Sequence, residues 1–284
     1  MALFHKREKS PIAPDGVLTL RSGDGAPLYT FPAEVVNSIR HMETGLVYKS
    51  TLPKRISMIA ALRGEGVTYT TLALATTLAY DLAVRVCVVE LNWWAPGMRT
   101  QLTPEGSIDT TKLSRTARRA ARQQSKNAIS NAVSAGATSE SSDTASLPAN
   151  PTGLAAVLME TTTIEKALIQ TALPNLALLP AGDLLLSQRP VMARSDALKT
   201  CIEQLSQHFD HVLLDIPAIL NTSDAIAMAS LGTACCLIIR QGVTPMSNVR
   251  LALDDVKHLP ILGVVLNQNR TAVPRWARAL VPQE

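Results

Sequence analysis

Aromatic side chains are scarce: three Phe, three Trp and four Tyr make up 4% of 284 residues. With 46% hydrophobic residues, the core has to be aliphatic, built from Leu, Val, Ile and Ala. That composition suits parallel strands buried on both faces. Cysteine is sparse too. The four, Cys87, Cys201, Cys235 and Cys236, form no CxxC pair and have no His at metal-ligand spacing. Cys87, Cys235 and Cys236 lie within apolar, strand-like runs, so they read as small core residues of a protein in a reducing compartment. No apolar stretch approaches the ~18–20 residues of a membrane span. The charged opening MALFHKREKSPIAPDG has no apolar signal-peptide segment. The expectation is a cytoplasmic protein, held at the inner face of a membrane only through a partner.

Charge is present but unevenly spread. Lys112, Arg115, Arg118, Arg119, Arg122 and Lys126 fall in a stretch without acids; taking these six from the formal +4 leaves the remainder at −2. The basic balance thus belongs to one segment. Lys112, Arg115, Arg119, Arg122 and Lys126 share a helical face at spacings of three and four. Such a face is usually solvated; the sharper alternative is electrostatic contact with an anionic lipid, nucleic acid or acidic partner. Its apolar side offers Leu113 and mostly Ala, too little for membrane insertion. No specific nucleic-acid partner is expected.

Residues 1 to 32, rich in Pro, Gly and charge, read as a flexible tail. Residues 33 to 47 carry Val35, Val36, Ile39, Met42 and Leu46 on one helical face. A strand follows at Ile56 to Ala61, a tight turn at Arg63 to Gly66, a helix from Thr68 to Leu82 and a second strand from Val84 to Leu91. From 100 to 151 the chain is Ser, Ala, Thr, Gln and Arg, and buries too little apolar surface to offset its ordering entropy, so it reads as an insertion. Beyond Thr152, strands at Leu176 to Leu179, Val212 to Asp215, Ala234 to Ile239 and Ile261 to Leu266 alternate with helices. Residues 271 to 284 read as a C-terminal tail. Alternating strands and helices predict right-handed crossovers and a parallel sheet. The fold class is α/β: a three-layer, doubly wound, mostly parallel sheet formed by residues 33–99 and 152–270 together.

The segment that carries chemistry is ISMIAALRGEGVTYTTLALATTLA, residues 56 to 79. Strand, Gly-rich turn and helix make a phosphate loop: glycines bring backbone N–H groups close to phosphate oxygens, and the helix turns its positive end toward them. In G-x-x-x-x-G-K-[ST] a Lys reaches the β- and γ-phosphates and a Ser or Thr holds Mg²⁺. Here Ala61 replaces the first Gly, Gly66 is kept, Val67 replaces Lys and Thr68 is kept. By spacing alone, packing and phosphate binding both remain open readings of this turn.

The order of segments resembles the ATPase domain of the bacterial tyrosine kinases of capsule and exopolysaccharide assembly. Residues 57 to 77 are similar to that family's strand, P-G-E-G-K-S-T and helix, with Gly64-Glu65-Gly66 intact. VCVVELNWWAPG, 86 to 97, is similar to its second acidic motif, D-x-D-x-R-x-P, with Glu90 and Asn92 at the two Asp positions. FDHVLLDIPAIL, 209 to 220, is similar to its Walker B strand and puts Asp215 at the Mg²⁺-side aspartate. NLALLPAGDLLLSQRPVMARS resembles its L-P-A-G segment, SDAIAMA its T-D-A helix start, and ILGVVLNQ its last strand, whose Asn meets the adenine; here that is Asn267. The resemblance spans about 33 to 100 and 152 to 270.

It implies ATP or ADP with Mg²⁺ as cofactor. Asp215 and Glu90 would be the catalytic acids, and Thr68 and Asp215 the metal ligands. Arg63, Gly64, Glu65, Gly66, Thr68, Tyr69 and Asn267 would hold nucleotide. It also implies a membrane polysaccharide co-polymerase or chain-length regulator as partner. Glu34, Asn37 and Arg40 stand where the family carries E-x-x-R-x-x-R for ring assembly, so homo-oligomers would form through the 33–47 helix. The departures point elsewhere. Lys is missing at 67, with Arg63 the nearby cation, and both Asp residues of the second motif are changed. The C-terminal tyrosine cluster is absent, since the tyrosines are Tyr29, Tyr48, Tyr69 and Tyr80. Removing one preorganised charge from a phosphoryl-transfer site costs about 3–4 kcal/mol. The expectation is a degenerate, regulatory or scaffolding member with weak or absent catalysis. An active kinase or ATPase with an unusual loop is the second reading, and a septum- or chromosome-positioning switch the third. The missing signature lysine (Leu62 holds its place) and the L-P-A-G segment count against the third. Trp93 and Trp94 read as a surface cover beside the site.

Overall fold

A computed structural model describes residues 16–49, 52–98 and 152–268. The basic face at 112–126, the rest of the 100–151 segment and the 271–284 tail lie outside the described residues.

The strands are β1 (Leu18–Arg21), β2 (Pro27–Phe31), β3 (Arg55–Ala60), β4 (Val86–Glu90), β5 (Ile169–Gln170), β6 (Leu176–Leu179), β7 (His211–Asp215), β8 (Ala234–Arg240) and β9 (Ile261–Asn267). The helices are α1 (Ala33–Lys49), α2 (Val67–Asp81), α3 (Gly153–Leu158), α4 (Ile164–Ala167), α5 (Arg189–Ala193), α6 (Asp196–His208), α7 (Asp224–Ala229) and α8 (Met246–Asp255). β3 to β9 form one sheet in the order β5-β6-β4-β7-β3-β8-β9. All neighbours are parallel except β5 against β6.

The apolar runs explain the central positions. Every residue of β4 and β6, and all but the first of β3 and β7, is buried. Strands covered on both faces need side chains that are apolar on both. One face packs against α1 and α2 through residues such as Val36, Ile39, Leu72 and Leu78. The other packs against α3, α6, α7 and α8 through Leu154, Leu198, Ile202, Ala225 and Val249. The helix signals are equally local. Ser195 caps α6, its hydroxyl accepting from Leu198 N at 3.2 Å, the N-cap bond that satisfies an otherwise orphaned donor. The four cysteines are free and buried, as core residues should be. Among the described residues no helix is long and apolar enough to cross a membrane.

One expectation is corrected. Residues 1 to 32 read as a tail, but 18–31 form a β1–β2 antiparallel hairpin. Leu18, Leu20 and Phe31 are buried in the α1–α2 face. Alternating apolar residues around a Ser-Gly-Asp-Gly turn are the hairpin signal, and here the count of Gly and Pro concealed it. Arg21 O accepts from Ala172 N at 3.0 Å and fastens the hairpin near β5.

Candidate functional site

After β3 the chain turns through Ala61 to Gly66 and enters α2. Gly64 and Gly66 have φ of +79° and +94°, a region open to glycine and strained for other residues. Gly66 is also constrained by contact: the Asn267 amide presses where a Cβ would stand. The loop is braced from behind. Asn267 Nδ2 donates to Glu65 O at 2.7 Å. Leu62 N donates to Glu65 Oε2 at 3.0 Å, and the Thr244 hydroxyl donates to Glu65 Oε1. Glu65 is 3% exposed, so its carboxylate holds the loop's shape from within. The first turn of α2 carries no acid, and its free N–H groups keep their positive pole. They border a cleft of about 270 Å³ lined by loop residues 62 to 69 with Asn92, Ala95, Ile216 and Ala218.

Val67 lines this cleft and also packs on the α1–α2 core. Arg63 lines it from an exposed position. Tyr69 lines it too, but its ring packs edge-on against Tyr29 and Phe31 of the hairpin, at 5.3 and 5.5 Å between centroids. Burial pushes its phenol up to about 12.

Behind the loop, Glu90 and Asp215 are register partners at the ends of β4 and β7, and both are 0% exposed. Their surroundings differ. Glu90 Oε1 accepts from Met98 N at 2.8 Å and Oε2 from Ala181 N at 3.1 Å, and the Gly97 backbone contributes as well. Neither carboxyl oxygen of Asp215 makes a hydrogen bond of ordinary geometry. Burial first, and then the charge of Glu90, pushes Asp215 up to about 8, while the Thr68 hydroxyl pulls it the other way. Burial also raises Glu90, and its backbone bonds oppose that. Chemically, an orphaned carboxyl beside a hydroxyl is a fitting pair of ligands for Mg²⁺, which binds one or two protein oxygens and completes its shell with water and phosphate.

The segment after β4 closes over this corner. Asn92 Oδ1 accepts from Ala95 N at 3.0 Å, making a turn, and Gly97 sits so close to Thr68 Oγ1 that a Cβ there would clash. Trp93 is not the surface cover expected of it. It is 2% exposed, in the core, and its indole N–H donates to Ala181 O at 2.9 Å; a tryptophan buried with its N–H satisfied is a packing residue. Trp94 is partly buried beside it.

The structure thus sets Arg63 to Tyr69 along one cleft, with Asn267 bracing the loop and Glu90 and Asp215 buried behind it. Their placements sharpen the expectations: Asn267 spends its amide on Glu65 O and on Gln268 N, Glu65 braces the loop, and Glu90 ties two loops together. Sequence reasoning missed the partners of those ties. Ala181 lies in the L-P-A-G run that carried the resemblance, whereas Thr244 had no signal. On α1, Glu34 and Asn37 are exposed, while Arg40 is held by Asp81 at 2.6 and 2.9 Å.

No family model matches the chain. Curated relatives do. Over 117 residues it is 26% identical to the tyrosine-protein kinase ptk of Acinetobacter johnsonii, covering 40% of this chain and 16% of that one. Over 125 residues it is 30% identical to the succinoglycan biosynthesis transport protein ExoP of Rhizobium meliloti (strain 1021), covering 43% and 16%. Over 121 residues it is 28% identical to the putative tyrosine-protein kinase CapB of Staphylococcus aureus, covering 42% and 53%. The matched stretch therefore spans from about a sixth to about half of these relatives. Solved structures share the fold. The chimerical protein CapA2B2 superposes with a TM-score of 0.60 at 16% identity over 83% of this chain and 85% of that one. The kinase domain of Escherichia coli tyrosine kinase ETK does so with 0.59 at 16% identity over 84% and 79%. Cobyrinic acid a,c-diamide synthase from Mycobacterium smegmatis, solved with an ATP analog and magnesium, gives 0.50 at 16% identity over 81% and 78%. Shared segments and a shared fold make the chain similar to the phosphate-loop ATPase domains of bacterial tyrosine kinases of capsule and exopolysaccharide biosynthesis.

Proposed function

We propose that this chain is a degenerate member of that family: a nucleotide-binding regulator or scaffold of exopolysaccharide assembly with little or no phosphoryl transfer. The carrying observation is the state of its charges. The loop keeps an anion-binding backbone, but an aliphatic side chain heads α2 and Glu90 is committed to backbone donors. Phosphoryl transfer depends on cations placed around the γ-phosphate and on an acid free to orient the nucleophile. Neither is provided by Val67 or Glu90. Thr68 and Asp215 would hold Mg²⁺, which when bound neutralises phosphate charge; Gly64, Gly66 and the α2 amino end hold the phosphates, and Arg63 attends the rim. The partner proposed is a membrane polysaccharide co-polymerase, which would also bring the protein to the membrane. The exposed Glu34 and Asn37 support self-association through α1, with Arg40 already occupied by Asp81.

The test is turnover. Purified protein should show no ATP hydrolysis or tyrosine phosphorylation above an Asp215→Asn control. Activity lost in that control would overturn the reading. Activity lost also in Arg63→Ala would favour the active alternative, in which that cleft-lining guanidinium replaces the lysine.

A further inference from the structure

The cleft has one complete half and one depleted half, and this has a consequence for the ligand it prefers. Building on the proposed nucleotide-binding reading, we infer that the site selects nucleoside diphosphates over nucleoside triphosphates.

The complete half is backbone. Gly64 and Gly66, at positive φ, and the amino end of α2 present N–H donors to an anion. Those donors are held by Glu65, Thr244 and Asn267 whether or not a lysine is present. They suffice for one terminal phosphate.

The depleted half is where a third phosphate would lie. In a complete loop the lysine spans the β- and γ-phosphates; here that residue is Val67, packed on the apolar core. The neutral Asn92 lines the cleft, and behind the lining the strand ends bury two carboxyls, Glu90 and Asp215. Among the described residues lining the cleft, Arg63 is the one cation, and it is exposed at the rim. Gly97, seated against the Thr68 hydroxyl, limits the room on the same side. A γ-phosphate would therefore lie beside buried carboxyls with no side-chain cation to meet its charge, so that neutralisation there falls to Mg²⁺ alone. Charge left uncompensated by the site discriminates between otherwise similar ligands.

Calorimetric titration of the full chain with ADP and with ATP, each with and without Mg²⁺, tests this. ADP is expected to bind more tightly than ATP by on the order of tenfold, and Val67→Lys, checked for folding by its melting temperature, should bring ATP to parity or better. Wild-type affinity for ATP equal to or above that for ADP would overturn the preference and leave the nucleotide-binding reading standing. Absence of binding by either nucleotide would overturn both. An unchanged ADP-to-ATP ratio in folded Val67→Lys would also overturn the inference, because the preference would then have another origin.

Discussion

Glu90 and Asp215 are two carboxyls at adjacent strand ends, equally buried, and the protein treats them in opposite ways. Glu90 accepts from three backbone donors in two loops. Asp215 is left without a hydrogen bond of ordinary geometry. Backbone donors favour the charged form and burial disfavours it. Two acids this close also share their protons as a pair. Burial, with the charge of Glu90, pushes Asp215 up to about 8, while backbone donors oppose the same upward pressure on Glu90. An acid that ties loops together serves architecture; a buried acid kept without partners is a cost that folding alone does not explain. The two strand ends are therefore unequal. The β4 end is tied into the architecture, and the β7 end has the character of a site.

The largest effect should come from Glu90→Ala. It leaves the N–H groups of Met98, Gly97 and Ala181 buried without their acceptor, at about 1–3 kcal/mol each before relaxation. A net loss of roughly 3–5 kcal/mol is expected, read as a drop of about 10 °C in melting temperature. Glu90→Gln, which keeps one carbonyl oxygen, should lose less than half of that. A Glu90→Ala protein melting within about 2 °C of wild type would show that the ties are incidental.

Asp215→Asn should do the reverse. The carboxyl is pushed up to about 8 in the fold, against about 3.9 in an unfolded chain. Its contribution to stability is thus full below pH ~4 and is lost as pH rises through 8, because the unfolded chain ionises freely and the folded one does not. Asn is neutral at every pH and escapes that loss. The variant should match wild type near pH 4 and exceed it by about 2 kcal/mol at pH 9, measured by urea unfolding across pH. Equal stability at pH 9 would mean that Asp215 ionises without penalty, and the contrast with Glu90 would fail.

How much of this was legible follows from how each feature is encoded. Strands β3, β4, β6 and β7 are nearly unbroken apolar runs, so composition and run length revealed the buried parallel sheet. The phosphate loop was legible because glycines at 64 and 66 answer a backbone demand that few other residues meet. The place of Asp215 at the end of a buried strand was legible from its flanking residues. The roles of Glu65 and Glu90 were not, because most of their partners are backbone N–H groups, which leave no mark on side-chain type, and each carboxyl also has a partner far along the chain, the Thr244 hydroxyl or Ala181 N. Trp93 failed for a similar reason: its indole acceptor is Ala181 O, and any residue could have supplied a carbonyl. The hairpin was hidden because its alternation spans only four and five residues beside a Gly-rich turn.

The smallest effect falls on another buried acid, Glu43, which lies outside the cleft and serves as a control. It is 5% exposed and its Oε2 has no hydrogen-bond partner. It shares the α1–α2 contact with the Arg40–Asp81 pair. Burial, then repulsion from Asp81, pushes it up to about 7, and Arg40 opposes the shift. The sign is that of Asp215, so the stability it contributes at low pH is lost as pH rises through 7. The nearby guanidinium, however, offers its charge a counterion. Glu43→Gln should therefore stabilise by only about 0.5–1 kcal/mol at pH 9, with the crossover about one unit below that of Asp215→Asn. It should leave the ADP-to-ATP ratio unchanged. If Glu43→Gln altered nucleotide preference as strongly as Val67→Lys, an orphaned buried acid anywhere on the α1–α2 face would suffice to tune the cleft. The special standing of the β7 end would then be lost.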